Sequence, residues 1–315
     1  MLREFKYADL LDDDVFKLVF GRESTKDVMI EFLNQVIPDR NIVDLEFLDK
    51  EMHPVERDSK GTVYDMFCRT DDGSRIIVEV QRRKQPFYPE RALYYSTFQI
   101  QRQVEAGAEY YDFLPVYVVS ILDFKMDDDP ENKQVKSVYR IYEETSHKLL
   151  TNRVTFIFLE LEKFQKTQEE LDDDILEGMY FCFKNMATLD ERPEVLKHRV
   201  FGKIFEVSEL LNMDKVTRSK VLDKMTTERD LRNQMRYFKE TTLAEGREQG
   251  LAEGRAKGLA EGRAEGLAEG RAEGRAEGRV EGWAEAVSRV LAAGVSAQVV
   301  AEALGITVEE CESYR

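Results

Sequence analysis

Apolar residues recur at two distinct spacings along the first 240 positions. Phe16, Val19 and Phe20, then Met29, Phe32, Leu33 and Val36, fall three and four apart. That spacing predicts helices over Asp14–Phe20 and Asp27–Val36, joined through Gly21-Arg22-Glu23-Ser24. The period then shortens, and strands are expected at Asp44–Leu48, Thr62–Arg69 and Arg75–Gln81, with Asp71-Asp72-Gly73 as the turn between the last two. Pro89 to Ala106 reads as a helix ended by Gly107. Val116–Leu122 reads as a fully buried strand, with Val138–Tyr142 and Val154–Leu159 as further strands. Beyond Phe164 the pattern is helical to about Lys239. Strands first and helices after point to an α/β or α+β core with a helical extension.

From Leu243 to Ala286 the pattern gives way to eleven consecutive tetrads, mostly Leu/Arg-Ala-Glu-Gly. Four parts are therefore expected: a core over residues 1–164, a helical extension over 165–242, a repeat stalk over 243–286 and a small helical piece over 287–315. Each tetrad advances ~400° on an α-helix, so the glycine stripe drifts in the right-handed sense. Ten glycines at ~1 kcal/mol each make a lone stalk a poor helix, which leaves a partner helix or a fluctuating linker. The terminal piece, punctuated by Gly294 and Gly305, has helix-turn-helix spacing, but Glu309, Glu310 and Glu312 give its last helix an acidic face unsuited to a major groove. Self-association through the C-terminal region, as a homo-oligomer, is the better expectation.

Composition narrows the class. Of 315 residues, 42% are hydrophobic, including 18 Phe and 13 Tyr, which excludes disorder throughout. The longest apolar run, Pro115–Leu122, is far short of the ~20 residues of a membrane helix, and the first residues lack the apolar core of a signal peptide. Three scattered cysteines form no disulfide or zinc framework. A cytoplasmic protein without a membrane partner is expected. The net charge of −16 argues against a passive nucleic-acid coat but not against a nucleic-acid enzyme, because one ion and one basic strip can offset it locally. His53, His147 and His198 suggest no ligand set.

The chemistry gathers on one hairpin. A turn centred on Asp72 sets Asp65 opposite Glu79, give or take one residue if Gly73 forms a bulge, with Val63, Phe67, Ile77 and Gln81 on the same face. A solvated face is the ordinary setting for two such acids. Opposed like charges destabilise a hairpin, however, and apolar neighbours would raise the carboxyl pKa. A divalent cation removes both penalties, and carboxylate oxygens suit Mg²⁺.

Asp65, Gly73 and Val78-Glu79-Val80-Gln81 resemble the acid, hairpin and acid-x-Lys/Gln core of the PD-(D/E)XK nuclease superfamily. Asp13 with Phe16-Lys17 and Phe20-Gly21 is similar to the D-x-x-F-K-x-x-F-G opening of the recombination-promoting nuclease (Rpn) and putative transposase family. Leu33-Asn34, Val63-Tyr64-Asp65-Met66, Arg91 with Tyr94-Tyr95, Gly107 with Tyr110, and Pro115-Val116-Tyr117 follow in that family's order. The resemblance implies a restriction-endonuclease-like core, a mixed sheet flanked by helices, and an Mg²⁺-dependent DNA endonuclease acting in recombination or defence against mobile DNA. Asp65 and Glu79 would be the metal ligands, with the Val80 carbonyl a further one. Gln81 stands where the superfamily often has Lys; its amide can orient water but is no base. Asp13 is the best match for the N-terminal acid of such sites, with Asp14 its competitor. Arg82-Arg83-Lys84 is placed to grip phosphates, with an ordinary solvated strand exit an equal alternative, and Arg91 and Arg102 would extend that strip along the next helix. The alternative is a scaffold that keeps the fold, has lost activity at Gln81, and binds DNA or protein.

Overall fold

The computed structural model describes residues 5–38, 40–49, 51–52, 62–104, 109–127, 129 and 131–315; the expected helix end at Gly107 and His53 lie outside them. Two compact units result, Met1–Asp230 and Leu231–Arg315.

In the first unit, α1 (Asp13–Phe20) starts where the Asp12 side chain accepts from the Asp14 and Val15 amides, two of the donors a helix start leaves unpaired. Val15, Phe16, Val19 and Phe20 form its buried stripe. This stripe meets α2 (Lys26–Val36) and α4 (Ile175–Asn185) through a ring cluster, with Phe20 lying 5.7 Å from Phe32 and 5.5 Å from Phe183. α1 ends at Gly21, whose amide donates to the Lys17 carbonyl at 3.0 Å and which packs so closely that a Cβ would sit 2.8 Å from the Met66 methyl.

Six strands form one mixed sheet in the order β1 (Leu45–Phe47), β4 (Met66–Thr70), β5 (Arg75–Gln81), β6 (Val116–Leu122), β8 (Leu149–Glu160), β7 (Lys136–Tyr142). β1, β4 and β5 are antiparallel, β5, β6 and β8 parallel, and β7 returns antiparallel on the edge. Every residue of β6 is buried, as a central strand covered on both faces must be. Ile76, Val78 and Val80 face the α1/α2/α4 side, while Phe67 and Ile77 face α3 (Tyr88–Gln101) through Tyr88, Ala92 and Phe98. The fold is thus the expected mixed sheet flanked by helices. Two short strands, β2 (Glu51–Met52) and β3 (Thr62–Val63), pair separately.

The single strand expected over Thr62–Arg69 is broken at Tyr64–Asp65. Strict alternation would send Tyr64 and Phe67 to opposite faces. Instead both enter the α3-side cluster, where the Tyr64 hydroxyl donates to the Tyr95 carbonyl at 2.9 Å, and the chain bends at Asp65 to allow it.

The helical part comprises α4, α5 (Arg199–Ser208) and α6 (Lys215–Ala292), a 78-residue helix within which the division between the units falls. In the second unit, α6 carries all ten repeat glycines, none with another atom within 4 Å of where its Cβ would be. Leu243, Leu251, Leu259 and Leu267 are exposed. α7 (Ala297–Leu304) stops at Gly305, whose φ of +69° suits a residue without a Cβ, and α8 (Val308–Glu312) follows a Thr307–Glu310 capping box. Val287, Leu291, Val300, Ala301 and Cys311 make a small core there, with Trp283 edge-on to Tyr314 at 5.9 Å.

Candidate active site

The site lies where β5 outruns β4. The two strands pair Met66 with Val78 and Phe67 with Ile77, the register expected from a turn at Asp72. Past Met66 the ladder passes to side chains. The Val80 amide donates to Asp65 Oδ2 at 2.8 Å, and the Asp65 amide donates to Glu79 Oε1 at 3.3 Å. Each carboxylate is therefore held against the other residue's strand. The Val80 carbonyl shares the strand edge of its own N–H, as ladder geometry requires.

Glu79 is 3% exposed. Burial first, and then the charge of Asp65, push its carboxyl well above the usual range. Burial also raises Asp65, opposed by the Val80 hydrogen bond. Asp13 raises both; Arg91 lowers both, and Lys17 lowers Asp65.

Further neighbours shape the site. Ser120, fully buried, pairs with Glu79 across β5 and β6. Arg91 lies over the Tyr88 ring at 4.9 Å and the Tyr95 ring at 5.7 Å, and its Nη1 donates to Gln85. Its Nε and Nη2 are buried without a hydrogen-bond partner, which is costly for a charged donor and marks a place for an anion.

The two candidate acids of α1 differ. Asp14 is engaged by Lys224 at 2.5 Å and Lys220 at 3.0 Å, whose hydrogen bonds hold its carboxyl below the ordinary range. Asp13 is exposed, and its charge reaches Asp65 and Glu79. The basic triplet separates too. Arg82 is built into the fold, donating to the Leu11 carbonyl and pairing with Asp9, both at 2.9 Å. Arg83 pairs with Glu228 at 2.9 Å, and Lys84 is exposed. Gln81 ends β5, on the face of Glu79, its carbonyl accepting from the Asp123 amide at 2.9 Å. The lysines of α6 escaped sequence reasoning; their spacing puts both on one helix face, but nothing local tied that face to α1.

Among the described residues, no three His, Cys, Asp or Glu side chains form a group that could hold a metal ion. The donors at Asp65 and Glu79 still fit a hard cation: a buried and a half-buried carboxylate that repel each other, and a main-chain carbonyl on the same edge.

A mixed sheet flanked by helices, with one acid at the mouth of a hairpin strand and acid-x-Gln at the end of the next, has the arrangement of a PD-(D/E)XK nuclease core. The sequence profile described as PD-(D/E)XK nuclease family transposase matches residues 10–237, and the chain belongs to that family. No curated protein and no solved structure matches the chain.

Proposed function

We propose that the protein is a divalent-metal-dependent DNA endonuclease that hydrolyses phosphodiester bonds in recombination or in defence against mobile DNA. The observation that supports it is the Asp65–Glu79 pair, half-buried and buried, interlocked through the Val80 and Asp65 amides at an open strand edge beside an Arg91 with unpaired N–H groups. Asp65, Glu79 and the Val80 carbonyl would hold Mg²⁺. A cation bound there supplies an acidified water and charge stabilisation at the scissile phosphate. Gln81 orients a water through its amide, and Asp13, exposed at the helix start, accepts a hydrogen bond from the solvent entering the site. Arg91 offers Nε and Nη2 to a phosphate oxygen.

Plasmid nicking with and without Mg²⁺ tests this reading. Asp65→Asn and Glu79→Gln should each abolish cleavage without unfolding the chain; full activity in either, with folding confirmed, sinks the assignment. A second reading, a DNA- or protein-binding scaffold that has lost catalysis, is favoured by the neutral Gln81. It predicts unchanged behaviour when Mg²⁺ is added.

The exposed leucines of α6 favour pairing of two chains through the C-terminal region, which would bring two sites to one DNA. All three cysteines are free and buried, in keeping with a reducing cytoplasm, and among the described residues no helix is long and apolar enough to cross a membrane.

A further inference from the structure

Within the first unit a cleft of about 570 Å³ opens between α1, β1, the start of β4 and the first turns of α6, and Asp65 forms part of its wall. Its charge is unlike that of the chain. Lys17, Arg22 and Lys220 line it against Asp14 and Asp65, and Asp14 is already engaged by Lys220 and Lys224. With Asp14 and Lys220 spent on each other, Lys17 and Arg22 stand against Asp65 alone, a local positive excess within a protein of net charge −16. Lys17 and Arg22 make no ion pair among the described residues, unlike Arg82 and Arg83. Phe47, Leu48, Met66 and Val216 supply an apolar wall beside these cations. Gly21, packed against the Met66 methyl, lies between Lys17 and Arg22 in the same wall.

Resting on the endonuclease reading above, we infer that this cleft takes a single DNA strand, its phosphates on Lys17 and Arg22 and a base against Phe47, so that the strand leads to Asp65. Cations that follow a backbone beside an aromatic platform recognise single strands without sequence preference. A volume of about 570 Å³ is on the scale of a ligand of nucleotide size, not of a turn of duplex. The substrate is thus frayed, flapped or locally melted DNA, and the basic triplet after β5 is not the principal grip.

Fluorescence anisotropy in EDTA measures this without cleavage. The full-length protein is titrated against a labelled 12-nucleotide thymidine oligomer and against its duplex with the complementary adenosine oligomer. The oligomer should bind more tightly than the duplex. Lys17→Gln with Arg22→Gln should weaken oligomer binding about tenfold and lower the slope of log affinity against log salt by about 1.4, at ~0.7 per phosphate contact. Phe47→Ala should cost at least about fivefold, the lower end for one stacked base. The charge-matched pair Lys133→Gln with Lys148→Gln, both exposed and outside the cleft, should bind like the parent. Parental affinity and salt slope in the double variant, no binding of the oligomer, or duplex binding at least as tight would each overturn the inference. Because no cleavage is read, those outcomes leave the endonuclease reading standing. That reading fails separately, in the nicking assay with Asp65→Asn.

Discussion

Replacing Glu79 by Gln should stabilise the metal-free protein, and the gain should grow with pH. Glu79 is almost wholly buried beside the Asp65 carboxylate, so its folded-state pKa stands well above 4.5. The unfolded chain releases this proton near 4.5, while the folded chain keeps it to higher pH. The native state therefore binds more protons across that window, and stability falls as pH rises, by at most ~1.4 kcal/mol per unit. Gln stays neutral and keeps an acceptor for the Asp65 amide, which is all the described hydrogen bonding at Glu79 Oε1 requires. Near pH 4.5 the two proteins should differ little. At pH 7.5 the variant should be ahead by ~2 kcal/mol, within the cost of a buried charged group left poorly paired. For a unit of this size that is a rise in Tm of ~4–8 °C. Thermal unfolding in EDTA at pH 4.5, 6 and 7.5, followed by near-ultraviolet circular dichroism, reads it. Saturating Mg²⁺ should then reverse the order, since an ion at 100 times its Kd adds ~2.7 kcal/mol to the parent alone. A stability difference that does not increase between pH 4.5 and 7.5 would refute the reasoning, because Glu79 would then carry its charge at little cost in the folded state.

Gln81→Lys should preserve or raise cleavage by adding charge near the phosphate, and Gln81→Ala should lower kcat while leaving Mg²⁺ affinity, measured by calorimetry, nearly unchanged. Truncation after Thr242 should leave a folded monomer that nicks inefficiently; light scattering checks it, and a monomeric full-length chain at micromolar concentration would dismiss the stalk as an assembly element. At Asp72, partial burial is outweighed by hydrogen bonds from the Thr70 hydroxyl and Ser74 and by Arg40, and the carboxyl falls to about 2. Its stabilisation is present above pH 3.8 and lost as pH falls from there towards 2. Asp72→Asn should therefore cost no more than ~1 kcal/mol at pH 7, because the side chain is nearly half exposed, and should flatten the acid-unfolding limb between pH 4 and 2.

The chain by itself determined what short-range pattern can carry. Alternation and the Asp71-Asp72-Gly73 turn set the β4–β5 register, because a hairpin's pairing follows from residues a few positions apart and Gly73 supplies the φ of +84° that its turn uses. The register brings Asp65 to Glu79, and the same local logic marks β6 as a buried strand and the tetrads as a distinct region. Tertiary structure decided what each charged group has to spend its charge on. Nothing near Arg82 in sequence says that Asp9 and Leu11 will consume it, nor that Lys220 and Lys224 will cross some two hundred positions to neutralise Asp14 and leave Asp13 exposed. The bend at Asp65 likewise comes from packing Tyr64 against α3, and the cleft beside it from the first turns of α6, tied to α1 through Lys220 and Lys224. Ionic and apolar partners are chosen by proximity in space, and proximity between distant segments is a property of the whole packed core, not of any window of sequence.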